Sequence, residues 1–389
     1  MEKSNNIIES IQEFIQIPSY SRNEKRAAQY LMDLMEKLNY DEVNYDEWGN
    51  VIGFIEGKSE ETVLFDGHID TVKVDNQKDW ENNPFEAVIK KDRIYGRGTS
   101  DMKAALIIMV YAASAFIKNS SLEKNIVVTG TVQEELYEGV SQAKVIEEIE
   151  PDLVVIGEAS NLNLCIGQRG RAELKLKTLG KNAHSSNPKL GVNAVTKMTK
   201  LLNKIDILEI VEDEDLGEGI LEVVDIKSKP YPGHSVVPHE CTVTIDRRLL
   251  PEENKKSVLK PINDLITEIK RKDNQFIAEV EIAVAEDVTH QGKIFKTEKF
   301  FPGWKYNVKD NYIQNILKGL NNNGLNTEID YYSFCTNGSQ SAGKKNIPTI
   351  GYGPSQEGLA HMVDEYIEIS QIDKAYQGYI SIIETFLKG

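Results

Sequence analysis

Short buried strands alternate with helices through the first 170 residues, and this alternation constrains the fold more than any other feature. Runs rich in Val and Ile predict strands and their exits in ETVLFDGHID (61–70), NIVVTGTVQEE (125–135) and DLVVIGEAS (152–160). Helical segments separate them, such as EKRAAQYLMDLMEKL at 24–38 and DMKAALIIMVYAASAFIK at 101–118. Parallel strands need crossover helices and are buried on both faces. The sequence therefore predicts an α/β fold with a mostly parallel sheet covered by helices.

The pattern changes near residue 171, where RAELKLKTLG alternates polar and apolar residues, as in a strand with one solvated face. From there to about 289 the predicted order is βαββαβ, which is typical of a small α+β sandwich. The α/β pattern resumes near residue 290. We therefore predict one domain formed by 1–170 and 290–389, interrupted by an inserted α+β domain at 171–289.

Composition excludes several classes of partner. The chain has 61 acidic and 45 basic residues and a net charge of −16, so nucleic acid is not expected as a partner. The longest apolar-rich stretch, at 104–116, is too short to span a bilayer. The N-terminal twenty residues predict a surface helix rather than a signal peptide. We expect a cytoplasmic protein that does not enter a membrane.

Three cysteines, Cys165, Cys241 and Cys335, lie far apart and include no CxxC pair. This spacing predicts neither a disulfide framework nor a zinc knuckle. We expect each cysteine to be a small buried residue.

Acidic and imidazole side chains gather where the predicted strands end. In chain order they are His68 and Asp70 after the first strand, Asp101 at the start of a helix, Glu134 and Glu135 after the second strand, Glu158 after the third, and His361 after a late strand, PTIGYG at 348–353. In open α/β sheets, ligands bind beyond the carboxyl ends of the strands. We therefore expect these side chains to converge at one edge of the sheet.

This mixture of side chains favours a metal site. Two imidazoles with several carboxylates suit zinc, and cobalt or manganese less well. Two ions roughly 3.5–4 Å apart need a bridging ligand, and the carboxylate of Asp101 is the candidate. In the pair Glu134–Glu135, one carboxylate can hold metal while the other takes a proton from a metal-bound water and passes it to a leaving amine.

Each residue taken alone has a simpler interpretation. A lone His at a strand end is usually a hydrogen-bonded structural residue, and a Glu–Glu pair is usually solvated. Asp101 alone is most simply a helix N-cap. The metal site is favoured by the joint pattern at successive strand ends.

At these residues the sequence resembles the M20 metallopeptidase and deacylase family, which includes acetylornithine deacetylase, succinyl-diaminopimelate desuccinylase, aminoacylase and a glutamate-releasing carboxypeptidase. The matching stretches are GHIDTV (67–72), YGRGTSDMK (95–103), QEE (133–135), GEAS (157–160), GKNAHSS (180–186), DRRLLP (246–251) and AHMVDEYI (360–367). The resemblance implies an α/β catalytic domain with a zinc site at the strand ends. It also implies that the inserted α+β domain is a lid that forms a homodimer contact.

The resemblance also implies a role for each site residue. The implied ligands are His68, Asp101 and Glu158 for one Zn²⁺, and Asp101, Glu135 and His361 for the other. Glu134 would be the general base, and Asp70 would orient the ring of His68 through its other nitrogen.

The inserted domain adds two implied catalytic or substrate contacts. His184, in GKNAHSS, would donate to the oxyanion formed during amide attack, an effect of about 3–4 kcal/mol per donor. Arg248, in DRRLLP, matches the position that holds the substrate carboxylate, a task that suits its planar fork. For its neighbour Arg247 we expect only a surface salt bridge.

Two segments depart from the family pattern, and both concern substrate recognition. The chain reads SVVP at 235–238 where N-V-I-P is common. It reads CTNGSQSAG at 335–343, which places Asn337, a candidate substrate contact, near an expected Asp. The T-N-G segment also resembles a less characterised subgroup of hydrolases linked to selenium metabolism.

Motifs that would indicate other enzyme classes are incomplete or absent in this sequence. GSQSAGKK at 338–345 has the spacing of a phosphate loop, but Lys345 stands where Ser or Thr must bind magnesium. No G-x-S-x-G elbow and no HExxH helix occurs.

The sequence therefore predicts a cytoplasmic, dimeric amidohydrolase with two Zn²⁺ ions, acting on a small N-acyl amino acid as a deacetylase or desuccinylase does. The close alternative is a dipeptidase, aminopeptidase or carboxypeptidase of the same family, acting on a short peptide. A metal-binding or assembly protein without turnover is disfavoured, because Glu134 would then have no evident use.

Overall fold

The computed structural model describes residues 2–117, 119 and 121–388. The chain forms two compact units. The first comprises Met1–Gln168, Glu286–Phe295 and Trp304–Gly389, and the second comprises Arg169–Ala285 and Lys296–Gly303. Among the described residues, no helix is both long enough and apolar enough to cross a membrane.

The secondary structure accounts for most of the described chain. The helices are α1 (Glu2–Ile15), α2 (Lys25–Lys37), α3 (Lys103–Ser114), α4 (Gln142–Ile149), α5 (Ala194–Ile205), α6 (Lys255–Lys272), α7 (Asn311–Asn322), α8 (Gly338–Ser341) and α9 (Ile369–Lys388). The strands are β1 (Glu42–Tyr45), β2 (Val51–Ile55), β3 (Thr62–His68), β4 (Val88–Lys90), β5 (Arg93–Tyr95), β6 (Asn125–Thr131), β7 (Leu153–Ile156), β8 (Leu164–Gln168), β9 (Gly170–Leu179), β10 (Glu212–Asp213), β11 (Gly217–Glu218), β12 (Ile220–Lys229), β13 (Glu240–Leu249), β14 (Ile277–Ile282), β15 (Val284–Val288), β16 (Ile294–Glu298), β17 (Phe300–Phe301), β18 (Trp304–Lys305), β19 (Ile329–Tyr332), β20 (Thr349–Gly351) and β21 (Tyr366–Glu368).

A nine-stranded sheet forms the centre of the first unit, in the order β1-β2-β6-β3-β7-β20-β8-β18, with β19 paired to β8. Strands β6, β3, β7 and β20 are mutually parallel. The predicted mainly parallel sheet is confirmed, although antiparallel strands flank this parallel centre.

Both faces of the central strands are buried, which explains their nearly continuous apolar sequence. Val63 and Phe65 of β3 belong to a core that includes residues of α1, α2, α3 and α9. Leu64, whose side chain alternates with theirs, belongs to a second core that includes residues of α4. Helix α3 is buried from Lys103 to Ala113, as expected of a helix that is apolar all round.

The register of the parallel strands positions the site. In β3 and β6, His68 pairs with Thr131, and in β3 and β7, Asp66 pairs with Ile156. The residues that follow these three strands therefore leave the sheet at the same edge.

The second unit has a five-stranded antiparallel sheet in the order β12-β13-β9-β14, with β17 paired to β9. Its main elements, β9, α5, β12, β13, α6 and β14, follow the βαββαβ order expected from the sequence. Residues of β9 and β13 alternate between buried and half-buried, because α5 and α6 cover one face of the sheet.

The three cysteines are free and buried, as expected from their spacing.

Candidate active site

His68 is the last residue of β3, and its ring is fully buried at 1% exposure. Its Nδ1 lies 2.8 Å from the main-chain oxygen of Asp70. Because a carbonyl oxygen only accepts, Nδ1 carries the proton of this hydrogen bond. The other nitrogen, Nε2, therefore faces the acidic residues, at 2.9 Å from Asp101 Oδ1 and 3.4 Å from Glu158 Oε1.

The carboxylate of Asp101 spans the two imidazoles. Its Oδ1 contacts His68, and its Oδ2 lies 3.0 Å from Nε2 of His361. The same nitrogen of His361 is 2.9 Å from Glu135 Oε2. Asp101 thus lies between two pairs of residues. His68 and Glu158 form one pair, and His361 and Glu135 form the other.

Asp70 differs in detail from its predicted role. Its main-chain oxygen, rather than its carboxylate, is the close partner of the His68 ring, and the carboxylate oxygen Oδ1 lies 3.6 Å from Nδ1. The carboxylate instead accepts the main-chain N–H groups of Glu134 and Glu135 at 3.1 and 3.3 Å, and the hydroxyl of Ser21 at 2.7 Å. Asp70 therefore holds the segment that carries the two glutamates.

A buried ion pair holds the segment before Asp101. One oxygen of Glu365 accepts three main-chain N–H groups, at 3.0 Å from Gly98, 2.7 Å from Ser100 and 3.1 Å from Asp101. The other oxygen accepts from Arg97 Nη1 at 2.6 Å, and Arg97 Nη2 donates to the main-chain oxygen of His361 at 3.2 Å. This pair was not predicted from the sequence. Both residues lie in the quoted motifs, but the spacing does not distinguish Glu365 from the adjacent Asp364.

Burial and mutual repulsion raise the pKa values of most carboxyl groups in the site. Burial raises the pKa of Glu134 well above its usual range, and the charges of Glu158 and Glu138 add to the effect. Burial and the charge of Asp101 together raise the pKa of Glu135 to about 7. Burial and the charge of Asp101 also raise the pKa of Glu158.

The pKa values of the two imidazoles and of Asp101 shift in the directions that favour their charged forms. Burial opposes protonation of His68, but its hydrogen bonds to Asp101, Asp70 and Glu158 raise its pKa well above the usual value. Hydrogen bonds to Asp101 and Glu135 raise the pKa of His361 to about 10. Burial would raise the pKa of Asp101, but hydrogen bonds from the two imidazoles outweigh it and lower that pKa. Protons on the imidazoles thus balance part of the acidic charge.

The donor set fits a divalent metal. Ligand atoms of His68, Asp101 and Glu135 lie within 4.8 Å of one another, as do those of His68, Glu134 and Glu158. Imidazole nitrogen and carboxylate oxygen are ligands that zinc prefers. A divalent cation would also relieve the repulsion that raises the pKa values of these carboxyl groups.

Two predicted residues, His184 and Arg248, lie in the second unit. His184 Nδ1 accepts from the main-chain N–H of Ser186 at 3.1 Å, so the proton of a neutral ring lies on Nε2. Arg248 Nε lies 2.9 Å from Asp246 Oδ1, and its side chain is 31% exposed.

The expected surface position of Arg247 is wrong. Its side chain is only 5% exposed, and it pairs with Glu253 at 2.5 Å and donates to the main-chain oxygen of Ile220 at 3.0 Å. Arg247 lies on the face of β13 that packs against the helices, whereas Arg248 lies on the opposite face.

Asn337 is buried, at 3% exposure. Its Nδ2 donates to Asp66 at 2.8 Å and to Thr131 at 3.0 Å, and its Oδ1 accepts the N–H of Gly139 at 2.6 Å. These three bonds occupy its amide, so the structure does not offer it to a substrate as the sequence analysis expected. The buried carboxylate of Asp66 needs such donors, which explains the position of Asn337.

Comparisons with known proteins agree with this site. Residues 64–385 match the Peptidase family M20/M25/M40. A protein of Escherichia coli, named uncharacterized protein YgeY, is 36% identical over 366 residues, covering 91% of this chain and 88% of its own. A succinyl-diaminopimelate desuccinylase of Pelagibacter ubique is 26% identical, with 85% and 84% covered. The crystal structure of aminopeptidase PepT from Bacillus cereus superposes with a TM-score of 0.76 at 20% identity and covers 98% of both chains.

The chain belongs to the M20 family, and the resemblance inferred from its motifs is confirmed. It is a hydrolytic enzyme of that family, whose members include both deacylases and peptidases.

Zinc binding to the metal-free protein at pH 7 should release protons, because His68 and His361 are protonated there and must lose those protons to become ligands. The affinity should therefore weaken as pH falls. Isothermal titration calorimetry in buffers of different ionisation enthalpy measures the released protons.

His361→Gln should reduce this proton release, whereas the control His239→Gln, in the second unit, should not change it. A binding heat that is independent of the buffer would contradict the protonated site.

Proposed function

We propose that this hydrolase cleaves the amide bond of an N-acyl amino acid, as a deacetylase or desuccinylase does, with two zinc ions as cofactors. The observation that carries the proposal is the carboxylate of Asp101, which contacts both His68 and His361 beside the buried Glu134. The proposed ligands are His68, Asp101 and Glu158 for one ion and Asp101, Glu135 and His361 for the other. Cobalt or manganese are substitutes with similar ligand preferences.

Zinc held there would supply Lewis acidity toward a substrate carbonyl and a water molecule. The protein's own contribution is proton transfer and orientation. Glu134, as the general base, takes a proton from the attacking water and gives it to the leaving nitrogen.

Two residues of the second unit complete the proposal. His184 donates from Nε2 to the developing oxyanion, a tautomer that its hydrogen bond from Ser186 favours. Arg248 binds the substrate carboxylate, and Asp246 orients its guanidinium before the substrate arrives. A short peptide with a free carboxylate offers the same groups, so a peptidase activity is the alternative, as the structural likeness to an aminopeptidase supports.

We also propose a homodimer formed through the second unit, because β12 is a long edge strand that pairs, within the described residues, only with β13. Nearly all of its ten residues are exposed, among them the apolar Val224 at 58% and Ile226 at 52%. An exposed edge strand presents main-chain N–H and C=O groups with which a second strand can pair. The three free cysteines are compatible with the reducing cytoplasm, where we place the enzyme.

Glu134→Gln should keep the bound metal and lose turnover by about 10²–10⁴-fold, the usual contribution of a general base. The assay is a screen of N-acetyl amino acids, N-succinyl amino acids and dipeptides with zinc or cobalt supplied, together with metal analysis. The exposed Glu147→Gln is the control.

An active Glu134→Gln variant would exclude Glu134 as the base. A wild-type protein that binds two metal ions but hydrolyses only dipeptides would favour the peptidase alternative.

Arg248→Ala should raise KM about 10–100-fold for substrates with a free carboxylate and leave kcat nearly unchanged, because a hydrogen-bonded charge pair contributes about 1.5–3 kcal/mol. Steady-state kinetics on each substrate and its carboxamide measures this effect. The matched control is the carboxamide, whose KM should not respond; an equal rise for both would refute the carboxylate contact.

Ile226→Lys should convert a dimer into a monomer, because it places a charge on the exposed edge strand. Light scattering after size exclusion measures the mass. Ile89→Lys, an exposed apolar position of β4 at 46%, should leave the dimer intact. A monomeric wild-type protein would rule out the proposed assembly.

A further inference from the structure

The hairpin formed by β15 and β16 contacts the Glu134–Glu135 segment on both sides of the pair. We call its residues 286–295, which belong to the first unit, the hairpin tip. On one side, Gln133 Nε2 donates to the main-chain oxygen of Val288 at 2.9 Å. On the other side, the hydroxyl of Tyr137 donates to Asp287 Oδ2 at 2.6 Å. Both contacts lie within two residues of a glutamate of the pair.

Asp287 is itself held firmly, with a side chain that is 7% exposed. Arg22 binds it with two groups, Nε at 2.7 Å from Oδ1 and Nη2 at 2.5 Å from Oδ2. Bidentate pairs of this kind fix orientation as well as distance. Burial alone would raise the pKa of Asp287, but hydrogen bonds from Arg22 and Tyr137 lower it, so the group is ionised at neutral pH.

Hydrogen bonds connect residues 21–22 to the Glu134–Glu135 segment by two routes. Ser21, next to Arg22 in the chain, donates to Asp70 at 2.7 Å. Asp70 in turn accepts the main-chain N–H groups of Glu134 and Glu135. Residues 21–22 are therefore linked to the glutamate pair in two ways. Ser21 is linked to it through Asp70, and Arg22 is linked to it through Asp287 and Tyr137.

The hairpin tip is packed well enough to serve as a support. The ring of His290 is 2% exposed, lies 3.3 Å from Glu24 Oε2 through Nδ1, and contacts the hydroxyl of Tyr45 through Nε2. Gly49, with φ of +99°, leaves room for this ring, because a Cβ there would lie 2.3 Å from His290 Cε1. Phe295 packs on Tyr137 with ring centroids 5.3 Å apart.

We propose that the hairpin tip is a positioning element for the catalytic glutamates, with Asp287, Val288, Tyr137 and Gln133 as positioning residues. The inference rests on the proposed role of Glu134 as the base. Gln133 has a left-handed backbone, with φ of +56°, which a non-glycine residue keeps only when its surroundings hold it. Proton transfer needs its groups within hydrogen-bond reach, and small misplacements of reacting groups cost up to about 10²-fold in rate.

Tyr137→Phe removes one hydroxyl and tests this inference with little risk to folding. At full zinc loading, we expect kcat to fall about 10–100-fold with KM unchanged, because the base is displaced. The matched control is Tyr30→Phe, which also removes a hydroxyl that donates to a carboxylate, Glu13 Oε2 at 2.8 Å, and should leave kcat unchanged. Asp287→Asn is a second variant, expected to lower kcat at least as much.

Hydrogen–deuterium exchange on the metal-free protein supplies a readout that needs no substrate. The main-chain amides of 133–137 should exchange faster in Tyr137→Phe than in wild type or Tyr30→Phe. In a Glu134→Gln background, Tyr137→Phe should cause no further loss of residual turnover, since both changes act through one group.

Unchanged kcat together with unchanged exchange would overturn the inference. So would an equal loss of turnover with and without Glu134, since the effect would then not pass through that residue. A fully active Glu134→Gln variant would instead overturn the proposed function, and exchange alone would then decide whether the hairpin tip holds the segment.

Discussion

The site depends on how five buried or nearly buried carboxylates are kept close together, since their mutual repulsion opposes the fold. They are Asp70, Asp101, Glu134, Glu135 and Glu158. The two imidazoles supply the positive charge that Asp101 contacts on both sides. Isolated buried charges would be too costly to persist, so each member must be hydrogen-bonded, protonated or paired with a cation. Burial, and then the neighbouring charges, raise the pKa values of Glu134 and Glu135, and hydrogen bonds to Asp101 and Glu135 raise that of His361.

Three acids, namely Asp70 of this group together with Glu365 and Asp287, hold the segments that carry the other carboxylates. Asp70 accepts the N–H groups of the glutamate pair, Glu365 accepts those before Asp101, and Asp287 accepts from the side chain of Tyr137. The guanidinium groups of Arg97 and Arg22 pair with Glu365 and Asp287. Arg97 and Arg22 therefore neutralise the supporting acids Glu365 and Asp287. The carboxylates of the proposed metal site remain available to a metal cation. An arginine paired directly with those carboxylates would compete with a metal for the same oxygens.

The sequence predicts the members of the site better than their connections. His68, Glu135 and Glu158 follow buried strands whose parallel register is set by apolar runs, so their convergence follows from topology. Hydrogen bonds made by main-chain atoms cannot be predicted from residue types in this way. The partner of the His68 ring is a carbonyl oxygen, and every residue has one. The same limit hid Glu365, whose role is defined by three main-chain N–H groups. Asn337 is a different case, because its amide donates to the side chain of the buried Asp66, far from it in the sequence.

Protons and metal ions compete to balance this acidic cluster, which couples metal loading to stability. Glu135 has a folded pKa of about 7, above the usual value of 4.5, so the folded state holds more protons between these values and loses stability as pH rises through them. For His361, with a pKa of about 10, the stabilisation is complete below its unfolded value of 6.5 and is lost as pH rises toward 10. Both groups thus make the metal-free protein less stable as pH rises. A divalent cation replaces those protons and removes the penalty, so the cluster that strains the metal-free fold at high pH is the one that binds metal best there.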